Sequence, residues 1–210
     1  MTRCTRGWPF WLALSIAMTT AGARATTVVP QNLEQLESQA QLVFVGVCTS
    51  RTAEIDPQGI PVRTFTFEVA ETVKGNLKTG SRIVVRHFGN DVPSPNGLAT
   101  RIPGIPTYAV GQEVLLFLNP PSSIGLTAPV GLSQGLFRVE RGAGGKRIIR
   151  LDPVRRNLLQ SGINPAKYTT STRFTPSDRE RLSNLPEQIE VREFCSLIRK
   201  VKEEREQAQK

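Results

Sequence analysis

The segment Gly131-Leu132-Ser133-Gln134-Gly135 has the G-x-S-x-G spacing of a nucleophile elbow. In that motif a sharp strand-to-helix turn lifts a serine out to attack an ester or amide, and an acid and then a histidine follow it in the chain. Here the sole histidine, His87, precedes Ser133, and the residues after the motif, "LFRVE", are strand-forming. Lys146 and Lys167 follow and have the right type for a Ser-Lys pair, but nothing in the sequence brings either to Ser133. The motif therefore reads as a glycine-bounded turn in which Ser133 can bond local backbone.

Gly75 to Gly80 copies the glycine spacing of a phosphate loop, but the next two residues, which should be Lys and Ser or Thr, are Ser81 and Arg82. The β-rich "RIVV" follows, so no helix N-terminus is offered to a phosphate. One histidine and distant cysteines give no zinc spacing. "EIDPQG" (54–59) does not place oxygen ligands at the alternate positions of a calcium loop. The expectation is a protein with no cofactor, no metal site and no catalytic residue. An enzyme of unrecognised class stays as an alternative.

The chain has 210 residues and a formal charge of +9. Arg3 and Arg6 precede a short apolar run, "FWLALSIAM", and Ala23-Arg24-Ala25 offers small residues at a cleavage site. This is the pattern of a secretory signal, residues 1–25, cleaved after Ala25. The run is shorter than the ~20 residues a membrane span needs, and no later segment is apolar enough. The expected product is exported, periplasmic or extracellular, without a transmembrane segment. Loss of Arg3, Arg6 and Arg24 leaves +6, spread among acids and not clustered, which argues against a nucleic-acid face. Two cysteines remain, Cys48 and Cys195. Export and an even count allow one disulfide, while two separate buried thiols are the alternative. A bridge would require Cα atoms within about 7 Å.

Hydrophobic periodicity places a short helix at 32–41 and strands at 42–48, 62–73, 81–88 and 112–120. A hairpin follows, "GLFRVER" and "KRIIRL" about "GAGG". Residues 152–176 read as a surface linker, and 177–210 as a helical segment opened by a Ser177–Glu180 capping box. Its last helix carries a stripe of Val191, Phe194, Ile198 and Val201 that should dock. Short strands with helices at the ends predict a mainly β domain over 26–151, a small antiparallel OB-like barrel with a short N-terminal helix and C-terminal helices packed on it.

"QAQLVFVGVCTSR", "TFTFEVAETVKGN" and "TYAVGQEVLLFL" resemble the strand-and-turn pattern of the netrin-like module, the OB-type barrel of the tissue inhibitors of metalloproteinases and of many exported bacterial proteins. The resemblance covers about residues 36–120. Inhibitory members of that family chelate zinc through an N-terminal cysteine, and the expected mature terminus here is Thr26, so no inhibitory residue carries over. The functional expectation is a non-enzymatic binding module acting through loops, its partner a protein or extracellular ligand. Protease inhibition by fold analogy is an alternative. The long Gly/Pro/Asn-rich loop 89–107 is the expected contact surface, with Asp91, Asn96, Arg101 and Tyr108 as candidate contacts. Tyr168, the other tyrosine, also lies near a loop.

Overall fold

The computed structural model describes residues 29–89, 102–169 and 171–209. The signal segment and its cleavage site lie outside the described residues. Seven strands run in chain order: β1 (Leu42–Ile55), β2 (Pro61–Lys74), β3 (Arg82–Phe88), β4 (Glu113–Leu118), β5 (Leu136–Arg141), β6 (Arg147–Arg150) and β7 (Gln188–Glu190). They form one antiparallel sheet of order β3-β2-β1-β4-β5-β6-β7. Four α-helices accompany it: α1 (Leu33–Gln39), α2 (Pro153–Gln160), α3 (Pro176–Ser183) and α4 (Val191–Ala208).

The sheet is open. Its edges are β3 and β7, and no ladder among the described residues joins them, so of the expected OB-like barrel the mainly β antiparallel sheet is present without closure. The last two strands instead pack against α4. Strong bending is nonetheless built in. The β1–β2 ladder shifts register between Val43 and Phe44, between Val45 and Gly46, and between Cys48 and Ser50. Such bulges bend a strand and increase its twist.

Alternation along the strands sorts side chains into two cores. Val43 and Val45 of β1 and Leu115 and Phe117 of β4 face one side, where α1 and α4 cover them. Phe44 and Cys48, with Val114 and Leu116, face the other, together with Phe65, Phe67 and Val85. The α4 stripe of Val191, Phe194, Ile198 and Val201 is buried in the first core, as its periodicity requires.

Three expectations change. First, β1 continues to Ile55, because the polar "TSRTAEI" is held as one arm of a hairpin by ladder bonds to β2. Second, 152–176 is not a surface linker. It contains α2 and a 3-10 turn (Pro165–Tyr168), and it buries Leu159, Tyr168 and Phe174 in the helix-side core. Its apolar residues are too widely spaced to show a helical period, yet each finds the same core. Third, α3 is capped by Thr175 with Asp178, one helical start earlier than Ser177–Glu180, since Pro176 occupies the first helical turn.

One buried charge joins these layers. Glu37 of α1 is fully buried. Its carboxylate lies 3.0 Å from Lys74 Nζ at the end of β2 and 2.8 Å from Arg205 Nε on α4. Removing the carboxylate leaves the Lys74 and Arg205 cations, both mostly withdrawn from water, without this counter-charge. Glu37→Ala is expected to lower stability by about 3 kcal/mol, the scale for breaking a buried ion pair from one side. Urea denaturation of the variant checks this; a loss below about 1 kcal/mol would show that the three groups do not act as a clamp.

Candidate functional site

The loops at one end of the sheet converge on β3. Arg86 organises them. Its Nη2 lies 3.5 Å from Asp56 Oδ2 in the β1–β2 turn, and its Nη1 donates to the Ile124 carbonyl at 3.2 Å. The Thr127 N–H donates to the Arg86 carbonyl at 2.8 Å. Both turns are internally braced. Asp56 Oδ1 accepts from the N–H groups of Gln58 and Ile60, at 3.0 and 2.9 Å. The Ser122 N–H donates to the Leu126 carbonyl, and Thr127 Oγ1 donates to the Asn119 carbonyl, both at 2.8 Å. Beside this arginine stand two exposed apolar residues, Val84 and Ile124, the latter bonded to it through its carbonyl. Val84 shares Arg86's face of β3 because it is two residues away.

Beneath that surface is His87, fully buried and on the opposite face of β3. Its Nδ1 lies 2.7 Å from the Thr127 carbonyl and its Nε2 lies 3.2 Å from the Tyr108 hydroxyl. A carbonyl only accepts, so Nδ1 carries the hydrogen and Nε2 accepts from Tyr108. Tyr108 stands edge-on to Phe65 and Phe67, with ring centroids 4.8 and 5.1 Å away. Arg63, also buried, bonds Thr107 next to it. Burial holds His87 neutral, down to a pKa of about 4, with the Arg63 cation adding to the effect. Burial likewise pushes the Tyr108 phenol above its usual range.

Of the expected contact residues, Asp91, Asn96 and Arg101 lie outside the described residues. Tyr108 is not a contact residue: its ring is wholly in the core and serves as the anchor of the loop that precedes β4. Tyr168 is also buried, and its hydroxyl donates to Glu34. No motif in the sequence marks His87, Arg86, Thr127 or Ile124 for this site. A signal for His87 was present, since it is in phase with Ile83 and Val85 on an inward face. No local pattern marks Arg86, because its partners lie about 30 to 40 residues away in the chain.

The expected Cys48–Cys195 bridge is absent, and both cysteines are free and buried. Cys48 belongs to the loop-side core and Cys195 to the helix-side core, so the sheet lies between them. Desolvation raises both thiols, Cys195 to about 12. Thiolates are the reactive form. Alkylation at pH 8 should therefore label neither cysteine in the native protein and both in denaturant, with no reductant needed; one labelled native thiol would contradict this burial.

Ser133 sits on a 3-10 turn (Leu132–Gly135) that leads into β5, not on a strand-to-helix elbow. Gly131 takes the left-handed conformation, φ 59°. Gly135 is required by contact, since a Cβ there would stand 2.7 Å from the Val130 carbonyl. The turn is a structural junction. Arg155 of α2 lies over the Phe137 ring and donates to the carbonyls of Ser133, Gln134 and Leu136. Gln134 grips the N-terminal segment, accepting from Gln31 N–H at 2.8 Å and donating to the Val29 carbonyl at 3.0 Å. Both ring nitrogens of His87 are engaged elsewhere, so it is not a base for Ser133.

Clefts elsewhere hold paired charges. One of about 220 Å³ is lined by Arg150 and Glu140, which bond each other, and by Arg155. Another of about 320 Å³ is lined by Lys146 with Glu190 and by Arg147, which pairs with Glu113. Among the described residues no three His, Cys, Asp or Glu side chains are grouped to hold a metal, and no helix is long and apolar enough to cross a membrane. No protein-family model matches the chain, and no curated protein matches it.

His87 gives stability a defined pH dependence. Unfolded, it titrates near 6.5; folded, near 4. Between those values the unfolded chain binds a proton that the native chain refuses, so stability falls as pH drops from 6.5 to 4 and is fully present above 6.5. The full effect is about 3 kcal/mol. Urea midpoints measured from pH 7 to 4 should show that slope, and His87→Gln should lose it; equal slopes in the two proteins would remove the assignment.

Proposed function

We propose that the protein is an exported, non-enzymatic binding module that engages a protein or extracellular ligand through the loop end of its sheet. The observation that carries this is the gathering of the β1–β2 turn, the 119–128 hairpin and the 102–108 segment around Arg86 and His87. Polar bonds brace each turn, and Val84 and Ile124 stand exposed beside one arginine. Arginine is among the residues enriched at interface hot spots, which supports Arg86 as the anchor of this surface. A rigid sheet beneath variable loops is a common way to carry recognition. The resemblance to the netrin-like module supports a bent, OB-type scaffold, as do the three register shifts between β1 and β2. The n-h-c pattern of residues 1–25 supports export.

Affinity capture from the secreted fraction, using wild type, Ile124→Asp, Arg86→Ala and a deletion of 92–103, tests this. Ile124→Asp and Arg86→Ala are expected to weaken capture at least tenfold with circular dichroism unchanged. The deletion should abolish capture, and Ser133→Ala should change nothing. Wild-type capture by Ile124→Asp would sink the loop-end surface. An esterase activity lost in a folded Ser133→Ala would sink the non-enzymatic reading.

A further inference from the structure

We infer that β3 is a receiving edge: an extended segment of a partner protein adds to it as an antiparallel strand, with an apolar side chain opposite Val84 and, two residues later, a carboxylate opposite Arg82. The inference rests on the loop-end binding reading above and names the backbone groups and the partner chemistry that this end of the sheet would use.

The hydrogen bonds of the β2–β3 ladder fix which groups face outward. At its two ends the Val69 N–H donates to the Ser81 carbonyl at 2.8 Å, and the Gly89 N–H donates to the Pro61 carbonyl at 2.7 Å. Antiparallel pairs alternate between bonded and non-bonded. The backbone groups of Ile83, Val85 and His87 are therefore directed at β2, and those of Arg82, Val84 and Arg86 away from it. The bond from the Thr127 N–H to the Arg86 carbonyl, 2.8 Å, agrees with that direction. Among the described residues nothing bonds the N–H or carbonyl of Arg82 or of Val84, or the N–H of Arg86. Such a row of groups is a template for another strand. The opposite edge of the sheet offers less, because β7 has three residues and runs directly into α4.

Side chains select the occupant. Arg82 and Val84 share the outer face of β3, and both are exposed. Arg86 lies on the same face but is paired with Asp56. Glu68 of β2 stands across the ladder from Arg82, and Lys78 in the turn before β3 is exposed, so cations outnumber acids at this end of the strand. A second copy added antiparallel about Val84, the register that uses all three outward residues, sets Arg82 against Arg86 of the copy. Like charges directly opposite one another are destabilising. A carboxylate at that position is attracted instead, and a β-branched residue opposite Val84 covers its exposed methyl groups. The 119–130 segment marks where the added strand stops, since Thr127 already holds the Arg86 carbonyl. At ~3.3 Å per residue, Arg82 to Arg86 gives about 13 Å of edge, room for about five partner residues.

The test uses the chain as purified after export. The probe is a short capped peptide of alternating threonine and valine, with a glutamate two residues after its central valine. Binding is followed by NMR amide shifts and hydrogen exchange. Exchange of the Arg82 and Val84 amides is expected to slow at least tenfold at saturation, with α1 and α4 amides unchanged. N-methylation of the central valine removes the N–H that meets the Val84 carbonyl and should weaken binding at least tenfold. Lysine in place of the glutamate should weaken it about fivefold. Val84→Pro deletes an N–H that the sheet does not use, a place where an edge strand tolerates proline, and it should abolish binding in a folded protein. If that variant fails to fold, the N-methylated peptide on wild type decides. Equal binding of the plain and N-methylated peptides, equal binding of the lysine peptide, or no binding at millimolar peptide overturns the proposal. Self-association of the wild-type chain that Val84→Pro removes also overturns it, since the occupant is then a second copy. In the capture experiment, Val84→Pro should lose the partner as Arg86→Ala does. Capture lost in Ile124→Asp but kept in Val84→Pro overturns the edge and leaves the loop-end reading standing. Peptide bound at the edge with no wild-type capture supports the edge and removes the loop-end reading instead.

Discussion

Two strands, β1 and β4, are apolar on both faces, and most of the architecture follows from covering them. Val43, Val45, Leu115 and Phe117 demand cover on one side; Phe44, Cys48, Val114 and Leu116 demand it on the other. A flat sheet with one solvated face cannot satisfy both demands. The chain answers them differently. Helices α1 and α4 close one face, while the bulged and bent β1–β2–β3 half encloses the other with the Tyr108 segment over it.

The buried polar groups lie where these two solutions meet their neighbours. Glu37 ties α1 to β2 and α4. Arg155 ties α2 to the turn before β5 and, through Gln134, to the N-terminal segment. His87 ties β3 to two loops. Each is polar, largely or wholly withdrawn from water, and bonded to elements remote in sequence, as burial requires of such groups. They also divide the molecule by character. The helix side is held by ion pairs and by mixed packing that includes Phe117, Phe137, Tyr168, Phe174 and Phe194. The loop side is held by an aromatic cluster and a neutral hydrogen-bonded ring.

The G-x-S-x-G segment shows how a chemical spelling can serve a packing role. Its first glycine is set by a left-handed turn and its second by contact with the Val130 and Phe117 carbonyls. Its glutamine, the residue with no part in a nucleophile elbow, makes the longest-range bonds of the five.

Strands, the docking face of α4, and the mainly β class were legible from the sequence, because alternation in Phe65-Thr66-Phe67 and the 191–201 stripe are local consequences of one-sided burial. The glycine-bounded character of the 131–135 turn was legible for the same reason. Other features depended on partners distant in the chain. The polar arm of β1 exists because β2 pairs with it. Leu159, Tyr168 and Phe174 are core residues although their spacing shows no period. Cys48 and Cys195 lie in different cores because the sheet runs between them. Periodicity reports which face of one element is apolar. It carries no information on which elements share that face, whether a sheet closes, or which loops meet at one histidine, since those are settled by contacts between residues far apart in the chain.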